Sequence, residues 1–245
     1  MIDIKDKRAL VCGGTSGIGN AAATSLKQNG AKVVILSRSA SGKDTISCDL
    51  EDLESLRTLV SKEIETNGSF QILVNNSGGP PSGPLIKAQP HDFEKAFLRH
   101  VLASQTLVQL LLEGMKSSNY GRIINIISTS VKEPIPGLGV SNTIRGAMAS
   151  WSKTLSKELP PEITINNILP GFTNTERLTE LKKTLSVQKG ISQEEVENAW
   201  LSTVPEGRLA DPSELGQVVA FLSSPAAGFV RGTSIPVDGG RTGSI

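Results

Sequence analysis

The chain has 245 residues, 38% of them hydrophobic and 24 of them glycine, which suits one α/β domain with a large core, spanning 1-245 without a second domain. Its 25 basic and 24 acidic residues leave a net charge of +1, with no basic cluster interleaved with aromatics, which argues against a nucleic-acid or anionic-membrane partner. No apolar stretch approaches a membrane span and Met1 to Asp6 lack signal-peptide character, so a cytoplasmic protein is expected.

Ala9-Leu10-Val11 is a short apolar run, Ile18 to Leu26 has helical spacing, and Val33 to Leu36 is a second, β-branched run. Strand, helix and strand are predicted in succession, with Cys12-Gly13-Gly14-Thr15-Ser16-Gly17-Ile18-Gly19 as the first turn. Glycine there permits a tight turn and lets backbone N–H groups approach a pyrophosphate, to which the helix N-terminus adds partial positive charge. The turn reads either as a dinucleotide cradle or as a plain strand-to-helix connection.

Ile46 to Cys48 reads as a third strand, Asp52 to Lys62 as a helix, and Gln71 to Val74 as a fourth strand that turns away through Asn75-Asn76-Ser77-Gly78. Gly79 to Pro84 is a stiff loop, expected to wall part of a substrate mouth. His91 to Met115 reads as one long or broken helix, and Arg122 to Ile127 as a buried fifth strand ended by Ser128. A loop from Thr129 to Gly139 leads to a helix from Val140 to Leu159, stopped by Pro160-Pro161. A sixth strand, Ile163 to Leu169, runs into Pro170-Gly171, and Glu176 to Leu201 is charged with helical spacing. Asp211-Pro212-Ser213-Glu214 opens a helix to Leu222, and Thr233 to Val237 is the final strand.

Four stretches together resemble the short-chain dehydrogenase/reductase family over almost the whole chain. They are Gly13, Gly17 and Gly19 in G-x-x-x-G-x-G order, Asn75-Asn76-Ser77-Gly78, Pro170-Gly171-Phe172-Thr173-Asn174-Thr175, and Val237-Asp238-Gly239-Gly240. The resemblance implies an α/β fold, a single-domain Rossmann-type doubly wound parallel sheet of about seven strands with helices on both faces. It also implies a substrate lid at about 174-205 and a homodimer or homotetramer packed through the helix that starts near His91. In the family's sheet Cys12 and Cys48 would lie two strand spacings of about 4.8 Å apart. A disulfide needs Cα atoms within roughly 7 Å, so free thiols are expected, and no His/Cys cluster has metal-ligand spacing.

By the same resemblance, a nicotinamide cofactor would be contacted by Gly13, Thr15, Ser16, Gly17, Ile18 and Gly19, and at its adenosine end by Ser37, Arg38, Asp49 and Leu50. Asn76, Ser77, Gly78, Arg145, Pro170, Gly171, Thr173 and Thr175 would contact the remainder. An NAD site needs a carboxylate for the ribose 2′-hydroxyl, whereas a guanidinium suits a 2′-phosphate. Arg38 therefore favours NADP(H) over NAD(H), unless it is an ordinary solvated side chain. Asp49 matches the family's adenine-binding aspartate, with a helix N-cap as its competing role.

The catalytic residues depart from the family pattern. Ser128 matches the serine that orients the substrate carbonyl, but Ser141-Asn142-Thr143-Ile144-Arg145 stands where Y-x-x-x-K is expected. The spacing keeps both side chains on one helical face. A phenol has a pKa near 10 that an adjacent cation tunes downward; an aliphatic hydroxyl is a far weaker acid, and arginine stays protonated. Tyr120, the only tyrosine, precedes the fifth strand and is expected at the opposite edge of the sheet from the cofactor. His100, where the family places a supporting asparagine, is a candidate acid directly or through Ser141 and a water, since an unperturbed imidazole titrates near 6.5. Its competing role is to fill the asparagine's space and hydrogen-bond a backbone carbonyl. Lys132 and Glu133, on the loop after Ser128, are weaker candidates.

Two functions compete. The first is an NAD(P)-dependent oxidoreductase passing hydride between the cofactor and a small carbonyl or alcohol substrate, with a variant proton relay of Ser128, Ser141, Arg145 and His100. It is similar to proteins labelled 3-oxoacyl-acyl-carrier-protein reductases. The second is a cofactor-binding sensor or oligomer partner with little or no redox activity.

Overall fold

The computed structural model describes residues 2–244. Its strands are β1 (Arg8–Cys12), β2 (Lys32–Ser37), β3 (Thr45–Ser47), β4 (Ile72–Asn75), β5 (Gly121–Ile126), β6 (Ile163–Pro170) and β7 (Ser234–Val237). All pair in parallel in one sheet, ordered β3-β2-β1-β4-β5-β6-β7. The chain builds outward from β1 to β3, then crosses back to lay β4 on the other side of β1. Connections therefore diverge at the carboxyl ends of β1 and β4, the position where open α/β sheets leave a crevice.

Both faces of the sheet are buried, and successive residues of each strand serve opposite cores. Leu10, Leu36, Leu73, Ile123 and Ile165 pack with Leu56 and Val60 of α2 (Leu53–Asn67) and Leu107 and Leu111 of α4 (Ala103–Ser117). Ala9, Val11, Ile72, Val74, Ile124 and Ile168 pack with Ala22 and Leu26 of α1 (Gly17–Gln28) and Leu215 and Val219 of α8 (Pro212–Leu222). The helices α5 (Gly139–Glu158), α6 (Glu176–Lys189) and α7 (Gln193–Leu201) complete the framework around the carboxyl-terminal crevice. No described helix is long and apolar enough to cross a membrane.

The structure refines three expected elements. The helix expected from His91 to Met115 is α3 (Pro90–Phe97) continued into α4 through a π turn at Leu98–Leu102, which carries Arg99 and His100. Such turns interrupt the regular ladder and occur often at functional sites. The charged stretch Glu176 to Leu201 is two helices, because Gly190 takes a left-handed conformation at φ 66° and Ser192 caps the next helix in a reciprocal box with Glu195. The Gly79 to Pro84 loop is held against the segment before α5, where Gly83 N–H donates to the Gly137 carbonyl at 2.7 Å.

Tyr120 lies at the opposite edge of the sheet from the crevice, as its place before the fifth strand implies. It sits at the amino end of the central strand β5, where its hydroxyl donates to the Ser223 carbonyl at 2.6 Å, so it is at the end of the strands remote from the crevice. Cys12 and Cys48 are buried free thiols, and burial pushes Cys12 up to about 12.

Candidate active site

The glycine turn is built by close approach. A Cβ on Gly19 would fall 2.1 Å from the Gly13 carbonyl oxygen, and one on Gly13 would fall 2.7 Å from Asn76 Nδ2. Gly13 and Gly17 also take φ of 59° and 53°, which L side chains rarely adopt. Asn76, at the exit of β4, donates its amide to the carbonyls of Cys12 and Gly13, both at 3.3 Å, tying the two diverging strand ends together.

From this turn a cavity of about 940 Å³ runs along the carboxyl edge of the sheet. Gly13, Thr15, Ser16, Gly17 and Ile18 line it from β1 and α1, and Ser37 and Arg38 from β2. Asn76, Ser77 and Gly78 follow β4, while Pro170, Gly171 and Thr175 follow β6. Ser128, Ser141 and Arg145 open onto the same space. At one end, the hydroxyls of Thr15, Ser37 and Ser39 cluster at 3.3 to 3.5 Å, beside the exposed Arg38. Ser39 was not among the expected residues; only the meeting of β1 and β2 reveals it.

Some expected residues lie elsewhere. Gly19 faces the back of the turn rather than the cavity. Asp49 is not the helix cap: Asp52 caps α2, accepting from Ser55 N–H at 3.0 Å, while Asp49 accepts from Glu51 N–H at 3.0 Å with Arg38 at 3.8 Å. Leu50 packs against the core under β1 and β2, and Thr173 is buried with its hydroxyl donating to Gly171 O at 3.3 Å. Thr175, by contrast, lines the cavity and also accepts from Leu178 N–H at 3.3 Å, capping α6. Glu133 is taken up by the chain end, accepting from Gly243 and Ser244 N–H at 2.8 and 2.9 Å.

Ser128 follows β5 in extended conformation, and its Oγ accepts from Ser130 N–H at 3.1 Å. That bond uses an oxygen lone pair and leaves the hydroxyl proton available to a ligand. Half-buried Ser141 lies in the first turn of α5, and Arg145 one turn on, so the helix carries both to the same side. Arg145 is only 8% exposed. It donates to Ile126 O at 2.9 Å and more weakly to Ser77 O at 3.5 Å, and no carboxylate pairs with it among the described residues. Burial lowers its pKa to about 10, and the nearby Arg177 charge adds to the effect.

His100 does not reach the cavity. It lies behind Ser77, whose hydroxyl shares a 2.7 Å hydrogen bond with Nδ1, and it is 3% exposed. Burial chiefly, then the charges of Arg145 and Arg99, hold its pKa down to about 2, so the ring is neutral at ordinary pH. The expectation of an imidazole titrating near 6.5 does not fit these surroundings; Nδ1 pairs with the Ser77 hydroxyl, and a weaker backbone interaction with Gly78 acts in the opposite sense, raising the pKa. His100 Nε2 and Arg145 Nε have no partner among the described residues, and both side chains border a small pocket of about 10 Å³, close to the space one water needs.

A further polar feature escaped sequence reasoning. Asn75 donates its amide to Asn125 Oδ1 at 2.8 Å, Asn125 donates to Asn167 Oδ1 at 2.9 Å, and Asn167 donates to Ser234 Oγ at 3.0 Å. These residues are in register on four neighbouring strands directly beneath the crevice.

Comparison with known proteins agrees with this arrangement. The family model described as enoyl-(acyl carrier protein) reductase matches residues 13–242. The 3-oxoacyl-[acyl-carrier-protein] reductase FabG of Haemophilus influenzae is 31% identical, over 97% of this chain and 98% of its own. The NADPH-dependent reductase BacG of Bacillus subtilis is 27% identical, over 98% and 99%. The L-sorbose reductase of Gluconobacter frateurii, solved with NADPH and L-sorbose, superposes with a TM-score of 0.92 at 26% identity, covering 100% of this chain and 99% of that one. With a parallel sheet opened between β1 and β4, a glycine turn at that opening and relatives matched end to end, the chain belongs to the short-chain dehydrogenase/reductase family.

Proposed function

We propose that the protein is an NADP-dependent oxidoreductase that interconverts a small carbonyl compound and its alcohol. The observation that carries this reading is that Ser128, Ser141 and Arg145 open onto the same cavity as the glycine turn. The residues present fit a nicotinamide dinucleotide: the turn has no room for a Cβ at Gly13 or Gly19, and its backbone faces the cavity at the start of α1, where a pyrophosphate is attracted. Arg38 with the hydroxyls of Thr15, Ser37 and Ser39 suits a ribose 2′-phosphate, and the named relatives include reductases that use NADPH.

When bound, the cofactor supplies the hydride. Ser128 donates a hydrogen bond to the carbonyl oxygen and fixes the acceptor carbon in place. Arg145, held by Ile126 O, presents positive charge to the oxygen as it becomes an alkoxide. With no phenol in the crevice, Ser141 hands the proton to that oxygen from solvent in the open cavity. His100 acts as a positioning residue, holding Ser77 through Nδ1.

The second reading, a cofactor-binding sensor or oligomer partner, rests on Tyr120 lying at the far end of the strands from the crevice. One experiment separates the two: titrate NADPH and NADH by fluorescence, then follow cofactor oxidation over ketones, quinones, oxo acids and 3-oxoacyl thioesters. Tight NADPH binding with turnover of any carbonyl class supports the oxidoreductase; binding without turnover supports the sensor.

A further inference from the structure

Besides Arg38 and Arg145, a third guanidinium borders the cavity. Arg177, in the first turn of α6, reaches across the mouth and donates to Pro80 O at 3.1 Å. It converges with Arg145 on Gly79: a Cβ built there would lie 3.5 Å from Arg177 Nη2 and 3.9 Å from Arg145 Nη2. Glu176 and Glu180 border the same cavity, yet neither forms an ion pair with Arg145 or Arg177 among the described residues. Arg145 is more than nine-tenths buried, and no carboxylate pairs with it among the described residues.

Two like charges facing one another, one of them desolvated and without a counterion, are costly until an anion joins them. A planar carboxylate between them would accept charge-assisted bonds of about 2.8 Å from each side. We propose that Arg145 and Arg177 together receive the carboxylate of the substrate, so that the protein reduces short oxo acids in preference to neutral carbonyl compounds. The inference rests on the oxidoreductase reading and narrows its substrate class. The cofactor's own phosphates are the competing anion, but the glycine turn already offers them backbone N–H groups at the start of α1.

The test compares a short 2-oxo acid with its amide at saturating NADPH, in the parent protein and in Arg177→Gln and Arg177→Lys. A preference for the acid of about tenfold or more in kcat/KM is expected. Arg177→Gln should erase it by raising KM for the acid about tenfold, leaving kcat, the amide kinetics and the NADPH Kd unchanged, and Arg177→Lys should restore part of it. Sodium malonate should also raise the Tm of the NADPH complex beyond sodium chloride of equal ionic strength, and Arg177→Gln should abolish that rise. Equal kinetics for acid and amide, or an Arg177→Gln effect confined to NADPH affinity, would overturn the anion site. If malonate protects through Arg177 but no carbonyl compound is turned over, the anion site stands and the oxidoreductase reading falls. If ketones turn over while malonate gives no protection, the reverse holds.

Discussion

Asn125 donates its amide to Asn167 Oδ1 at 2.9 Å while accepting from Asn75 at 2.8 Å, so one buried side chain closes a polar line across three strands of an otherwise apolar sheet. Asn125 is 0% exposed, and both neighbours are buried. Replacing it by leucine leaves an amide donor on Asn75 and a carbonyl acceptor on Asn167 without partners. Each orphaned group costs about 1–3 kcal/mol. Asn125→Leu should therefore lose about 2–6 kcal/mol of stability in urea unfolding; a loss below about 1 kcal/mol would show that the line contributes little.

Much of the fold was legible because its signals are local. Runs such as Ile72-Leu73-Val74 and Ile123-Ile124 are apolar without alternation, as strands buried on both faces must be, and the glycine spacing at 13, 17 and 19 marks the turn after the first strand. The parts that were not legible depend on distance in the chain. The asparagine line needs the register of four strands, and the cluster of Thr15, Ser37 and Ser39 needs β1 beside β2. The surroundings of His100 were hidden for another reason: helical spacing places a residue on a face, but it does not show that a π turn will swing the ring beneath Ser77. Arg177 read as one charge in a charged helix until α6 brought it to Pro80.

The adenosine end of the crevice gives a test of cofactor choice. Arg38 is 73% exposed and only 3.8 Å from Asp49, so it is not committed to a strong internal partner. Hydrogen bonds to charged groups contribute about 1.5–3 kcal/mol, or roughly 10–100-fold. Arg38→Ala should weaken NADPH by that factor while leaving NADH affinity near its parent value, as read by fluorescence titration. Equal weakening of both would place the 2′-phosphate elsewhere.

The burial of His100 makes stability depend on pH in a defined direction. Its pKa falls from 6.5 in the unfolded chain to about 2 in the fold, so between these values the unfolded state binds the extra proton. The contribution is fully present above pH 6.5 and is lost as pH falls below it. Between pH 7.5 and 5.5 this single group should cost on the order of 1 kcal/mol of unfolding free energy. Urea titrations of the parent protein and His100→Asn at those two pH values isolate it, whatever the variant's absolute stability. The parent should lose about 1 kcal/mol more than the variant; identical losses would mean that the ring titrates in the fold as it does in the unfolded chain.

The division of labour between the two serines can be read from kinetics. Ser128 Oγ already accepts from Ser130 N–H at 3.1 Å, so its orientation is set before a substrate arrives and its proton points to a ligand without further ordering. Ser141 has no such anchor and starts a helix, where it serves as a conduit that a water molecule can replace. Removing a preorganised donor to a developing oxyanion costs about 10²–10³ in kcat. Ser128→Ala should show a loss of that size with NADPH affinity unchanged, whereas Ser141→Ala should lose about tenfold or less. If the order is reversed, the proton passes obligatorily through Ser141 and the serine after β5 only shapes the pocket.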